Sequence, residues 1–173
     1  MLIGGDNKTA KRYSDGFDEG YVADVEYAAT LIAQRCFAEA WEVMSACKQE
    51  SIPLLYNQAL CLKSGGEYFP RVLELFERLQ RLAALLPRDS RTLIQADTTS
   101  IFKAQREEQT HNAPITFRYV DRFPHLLKDS ILRHLIGCHL IMGNHAKVIE
   151  LGTPLASKGY KDVVDALEIV TKK

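Results

Sequence analysis

The chain has 173 residues, 46% of them hydrophobic and 25% charged, and Lys plus Arg equals Asp plus Glu at 22 each. That length supports one domain with a real core, and the zero balance supplies no electrostatic pull toward nucleic acid or an anionic membrane. No apolar stretch reaches the roughly 18 residues that a membrane-spanning helix needs, and Met1-Leu2-Ile3-Gly4-Gly5-Asp6 lacks the basic and apolar blocks of a secretion signal. The four cysteines, Cys36, Cys47, Cys61 and Cys138, form no CxxC pair and sit in apolar helical patterns. They read as buried free thiols in a reducing cytosol, and the expected location is cytoplasmic.

Residues 1–21 are polar, Gly-rich and weakly patterned, and are expected to form a flexible N-terminal arm with one short helical turn. The helical period begins near Val22, with Val25, Ala28, Ala29, Leu31 and Ile32 on one face. After a break at residues 34–37, a second helix carries Ala40, Trp41, Val43, Met44 and Cys47, and Pro53 closes this hairpin, about 22–52. The next hairpin, 54–87, sets Leu55, Ala59 and Leu62 against Val72, Leu75, Phe76, Leu79, Leu82 and Ala83. Gly65 and Gly66 stop its first helix, and Pro70 falls in the first turn of its second, where a missing N–H costs nothing.

The stretch 89–123 is divergent. A capped helix to about Glu108, a loop at residues 110–113 and a short helix holding Ile115, Phe117, Tyr119 and Val120 are expected to make a degenerate hairpin. A further hairpin at 125–158 turns at Met142-Gly143-Asn144-His145, and residues 160–171 read as a capping helix with Val163, Val164, Leu167 and Val170 apolar. The expected fold class is therefore all-α, a right-handed stack of three to four helical hairpins plus a C-terminal capping helix.

The hairpins repeat. Ala28 and Ala59 lie 31 residues apart, as do Phe37 and Tyr68, and Pro53 and Pro87 close their units. Small residues at Ala28, Ala40 and Ala59, with the less fitting Val72 at the fourth such place, large ones at Leu31, Phe37, Met44, Leu62, Tyr68 and Phe76, and the closing prolines resemble the tetratricopeptide repeat. The copy at 125–158 matches it more weakly, with Ile136 and Val148 at small positions, His139 and His145 at large ones and Gly152 in place of a bulky residue. Small side chains let two helix backbones approach, and large ones fill the space between hairpins.

No catalytic set with specific spacing is present: there is no GxSxG, P-loop, GxGxxG or HExxH, so the chain is not expected to be an enzyme. His134 and Cys138 are four residues apart and could share a helix face, but a core role outweighs a metal site, and neither metal nor cofactor is expected. Phe117, Arg118, Tyr119 and Arg122 could stack on single-stranded nucleic acid. The neutral charge argues against that, and in favour of Phe117 and Tyr119 packing on the flanking hairpins.

The resemblance implies a concave groove lined by the first helix of each hairpin. Carried over by position, the lining comprises Val25, Ala29 and Ile32, then Tyr56, Asn57, Leu60 and Lys63, then Arg133 and His134. Asn57, Lys63 and Arg133 alone make a poor clamp for a peptide carboxylate. An apolar groove centred on Tyr56 suits an amphipathic helix or an extended apolar segment of another protein. The implied function is a non-catalytic interaction module, an adaptor or small chaperone, with neither nucleic acid nor membrane as partner. The alternative is a homo-oligomeric scaffold whose groove is filled by self-association or by the N-terminal arm.

Overall fold

The computed structural model describes residues 11–66, 69–86 and 107–172. Among them are eight α-helices and no strand: α1 (Glu19–Ala33), α2 (Phe37–Ala46), α3 (Ile52–Ser64), α4 (Phe69–Ala84), α5 (Phe117–Arg122), α6 (Pro124–Ile141), α7 (His145–Ala156) and α8 (Lys161–Thr171). Local chemistry sets the starts. Asp18 caps α1 by accepting from the Gly20 and Tyr21 amides, Ser51 caps α3 through the Leu54 amide, and Thr116 caps α5 through the Tyr119 amide. Pro124 opens α6 at a position where no N–H is needed.

The turns within the hairpins share one device. Arg35, Gly66 and Gly143 all adopt a left-handed conformation, with φ of 65°, 71° and 71°. After Arg35 and Gly143 the next amide reaches back to the carbonyl five residues earlier: Cys36 N to Leu31 O at 2.9 Å and Asn144 N to His139 O at 2.8 Å. These bonds satisfy the orphan carbonyls of α1 and α6 and reverse the chain.

Helices pack in sequence order: α1 on α2, α2 on α3, α3 on α4, then α4 on α6, α6 on α7, and α7 on α8. The molecule is thus an all-α stack of hairpins α1/α2, α3/α4 and α6/α7, closed by α8. Ala28, Ala40, Ala59 and Val72 are fully buried where the paired helices approach. At Gly152 a Cβ would come within 3.0 Å of Leu167, so the glycine lets α7 and α8 approach.

Two expectations are corrected here. The hairpin at 54–87 abuts the one at 125–158 directly, through α4 and α6, so the described part of 89–123 is not stacked between them as a hairpin. The described part of that stretch, residues 107–123, instead lies across one side of the stack as an extended segment, a 3-10 turn (Thr110–Asn112) and α5. The helix expected before Glu108 lies largely outside the described residues. The second correction concerns residues 11–21, expected in the arm. Tyr13–Gly16 form a 3-10 turn, and α1 starts at Glu19. Tyr13 donates its amide to Asp121 Oδ1 at 2.7 Å, and its hydroxyl accepts from the Ile52 amide. Tyr13, Phe17 and Tyr21 enclose the Phe117 ring at centroid distances of 5.3–6.2 Å. Aromatic burial of this kind outweighs the polar composition of the stretch.

Candidate site: a groove that holds its own chain

The first helices of the three hairpins are in register. Glu26, Asn57 and His134 occupy equivalent places, 31 and then 77 residues apart. Each holds main chain of residues 111–117: His111 in the 3-10 turn, Ile115 in the extended link after it and Phe117 at the first position of α5. Glu26 Oε1 accepts from the Phe117 amide at 3.0 Å. The Asn57 side chain makes two bonds of 2.9 Å, accepting from the Ile115 amide and donating to the Ile115 carbonyl. His134 Nε2 sits 2.8 Å from the His111 carbonyl, to which the Tyr56 hydroxyl also donates. A carboxylate, an amide and an imidazole thus form a ladder along which residues 111–117 are fastened by their backbone.

This arrangement decides the fate of the predicted groove residues. Val25, Ala29, Ile32, Tyr56, Asn57, Leu60, Arg133 and His134 are all buried, none more than 4% exposed, and Lys63 is half-buried. They are brought together in the sense that Tyr56, Asn57, Lys63, Arg133 and His134 all contact residues 108–115, but they do not line an open surface. The occupant is the chain's own segment. Tyr56 is a core residue, with its ring edge-on to Phe76 at 5.6 Å and to His134 at 5.5 Å. Val25, Ala29 and Ile32 sit in the first hairpin, where Val25 and Ile32 share a core cluster with Phe117.

The polar end of the groove is built around α6. His134 stacks on Phe76 with centroids 4.2 Å apart. Its Nδ1 lies 3.4 Å from Lys63 Nζ, which also donates to Asn112 Oδ1 at 2.9 Å. An ammonium only donates, so Nδ1 accepts and Nε2 carries the proton given to the His111 carbonyl. Burial, then the adjacent Lys63 and His111, pull the His134 pKa well below the ordinary histidine value and keep the ring neutral. Burial and then Arg133 likewise press His111 down to about 3. Lys63 is also lowered by burial, with Cys138 and Asp162 opposing.

Arg133 grips Asp162 on α8: its Nε is 3.0 and 2.9 Å from the two carboxylate oxygens, and its Nη2 is 2.8 Å from Oδ1. The same guanidinium donates to the Glu108 carbonyl at 3.2 Å and lies 4.6 Å over the Tyr160 ring. Asp129 completes the tie between α6 and α8 by accepting from Lys158 and from the Tyr160 hydroxyl, each at 2.7 Å. Glu26, His111 and Asp162 were not singled out by the sequence reading. The 31-residue register marks Glu26 as the partner of Asn57, whereas nothing in the pattern distinguishes His111 or Asp162.

Among the described residues no set of three His, Cys, Asp or Glu is placed to hold a metal ion, and no helix is long and apolar enough to cross a membrane. All four cysteines are free, and burial raises the Cys61 thiol to about 11. No family model matches the chain, and neither does any curated protein or solved structure.

Proposed function

We propose that the chain is a non-catalytic interaction module, tetratricopeptide-like in plan, whose groove binds extended main chain and is occupied in the resting state by residues 108–117. The observation that carries this reading is the Glu26–Asn57–His134 ladder. Equivalent positions in three successive hairpins all bond backbone groups, and a side chain such as Asn57, which pairs an N–H and a C=O of one residue, recognises an extended strand whatever its sequence. A partner protein then supplies an extended segment that competes with the internal one. Its apolar residues take the places of Ile115 and Phe117, which are 4% and 2% exposed. A cytosolic setting suits the four free thiols.

The test uses the full chain and a fluorescent peptide of residues 107–119. Wild-type protein, whose groove is filled, should bind the peptide weakly. Ile115→Ser combined with Phe117→Ser, which loosens the internal segment, should bind it roughly tenfold or more tightly, and adding Asn57→Ala should remove that gain. Circular dichroism confirms that each variant is folded. Equal anisotropy for wild type and the loosened variant would mean that the segment is a fixed part of the core and not an exchangeable ligand.

A further inference from the structure

A cavity of about 200 Å³ lies beside the clamped segment, between α3, α6 and α8. One end is polar, with Lys63, His111, Arg133 and Asp162; the other is apolar, with Phe69, Leu140, Ile141 and the open edge of Gly137. Ile141 is exposed and stands on the solvent side.

The charges at the polar end do not cancel. Arg133 and Asp162 neutralise each other in a two-pronged pair. Lys63 has no carboxylate within ion-pair distance among the described residues, and its contacts are the Asn112 amide oxygen and His134 Nδ1. An ammonium has three N–H donors, so one is left over at the cavity. The neutral histidines add no charge, and among the described lining residues Lys63 is a cation with no carboxylate beside it.

Gly137 supplies a second, independent observation. It sits inside α6, where glycine costs about 0.5–1 kcal/mol relative to alanine. The usual reasons for a helical glycine are missing: its φ is not positive, and a Cβ built there would meet nothing within 4 Å. What its missing side chain does is leave the cavity wide.

We infer that this cavity binds a small aliphatic monocarboxylate, its head on Lys63 Nζ and its chain over Gly137 between Phe69 and Ile141. A single surplus cation matches a monoanion, while a phosphate dianion would leave buried charge unpaired. At the roughly 30 Å³ that one water occupies, the space takes about six or seven heavy atoms, the size of butyrate or pentanoate. The cavity belongs to the resting state, in which residues 108–117 are seated and Gln109 and His111 line it.

Calorimetric titration of the full chain with pentanoate and with pentanamide tests it. Pentanoate should bind, and the neutral amide of the same shape should bind roughly tenfold or more weakly. Lys63→Met, which keeps the aliphatic stem, should weaken pentanoate to the level of the amide. Gly137→Leu should block binding while α6 stays helical, and Gly137→Ala should bind within a few-fold of wild type and melt higher. Absence of binding at millimolar pentanoate, equal affinity for the amide, or unchanged binding in Gly137→Leu would each overturn the assignment.

Discussion

Asn57 and Ile115, 58 residues apart in the chain, exchange two hydrogen bonds of 2.9 Å, the amide of one side chain pairing both main-chain groups of the other residue. The pairing resembles one rung of a sheet, made between a helix side chain and an extended segment. It explains how a polar asparagine with no exposed surface is tolerated between helices: its carbonyl and amide are both used, and so are the N–H and C=O of a buried residue. The neighbouring rungs at Glu26 and His134 each satisfy one main-chain group in the flanking hairpins, the Phe117 amide and the His111 carbonyl.

Asn57→Ala should therefore be costly out of proportion to its size. Two buried main-chain groups of Ile115 lose their partners, each at about 1–3 kcal/mol, and a chain of this length loses about 2–4 °C of Tm per kcal/mol. A fall of about 4–24 °C is expected by calorimetry. Hydrogen exchange at the Ile115 and Phe117 amides should accelerate before that of α3. A Tm within a degree of wild type would mean that the two bonds contribute nothing to holding the segment.

Stability should fall on mild acidification. The pKa values of His111 and His134 lie below the ordinary 6.5 in the folded chain, His111 at about 3, and burial lowers His139 as well. The unfolded chain then binds more protons than the folded one below pH 6.5. Stability is full above that pH and is lost as pH falls toward 3, by up to about 1.4 kcal/mol per pH unit for each group. Urea midpoints at pH 7.5, 6.0 and 5.0 should decline in that order. His134→Gln, which can still donate to the His111 carbonyl and accept from Lys63, should flatten the decline. An identical slope in that variant would assign the acid sensitivity to other groups.

The hairpins were legible in the sequence because their signals are local. Apolar residues recur every 3.6 positions, and Gly66 and Gly143 stand where a left-handed turn is needed. The site was not legible, for two physical reasons. Residues 111–117 are recognised through their backbone, which leaves no side-chain signature. Of the residues that recognise them, repeat position marks Asn57 and His134 as groove lining, but Glu26, Asn57 and His134 are chemically unlike, so a pattern built on size and hydrophobicity does not link them as one set. The apolar spacing of Ile115, Phe117 and Val120 suits a helical hairpin and a clamped segment equally well, and only packing distinguishes the two. Asn57, Lys63 and Arg133 were correctly placed on first helices, but their burial depends on a segment distant in sequence.

The turn register makes opposite predictions at equivalent positions. Arg35 and Gly66, 31 residues apart, share the left-handed conformation, but only glycine adopts it freely. A side chain there costs roughly 1–2 kcal/mol, and glycine gives back part of that in unfolded-state entropy. Arg35→Gly should raise stability by about 0.5–1 kcal/mol, and Gly66→Ala should lower it by a similar amount. Chemical denaturation of the two variants side by side is the measurement. A destabilised Arg35→Gly would mean that the arginine side chain compensates its own strain.

Ala59 is fully buried in α3, near Val72 of the paired helix α4, and belongs to the same core cluster as Phe76. Ala59→Leu inserts three carbons where two helices already touch, and overpacking of this kind costs about 1–3 kcal/mol. The paired substitution Ala59→Leu with Val72→Ala should recover part of the loss if the two positions share one space. No recovery in thermal melts would place the crowding against a different neighbour.

Asp162 and Arg133 join the capping helix to the body of the stack. Asp162 is partly exposed, with 23% of its side chain open to solvent, while the Arg133 side chain is 2% exposed. Removing the carboxylate leaves a buried guanidinium short of its counter-charge, and breaking a buried pair from one side costs about 3–5 kcal/mol. With solvent reaching the aspartate, about 2–3 kcal/mol is expected for Asp162→Ala. Because each unit of a stacked fold leans on its neighbour, the loss should appear first at the end. Amides of α8 should exchange faster while those of α1 and α3 keep wild-type rates. Arg133→Met in the Asp162→Ala background removes the guanidinium as well and should cost less than the two single changes predict by addition. Strict additivity would show that the two residues act independently in holding α8.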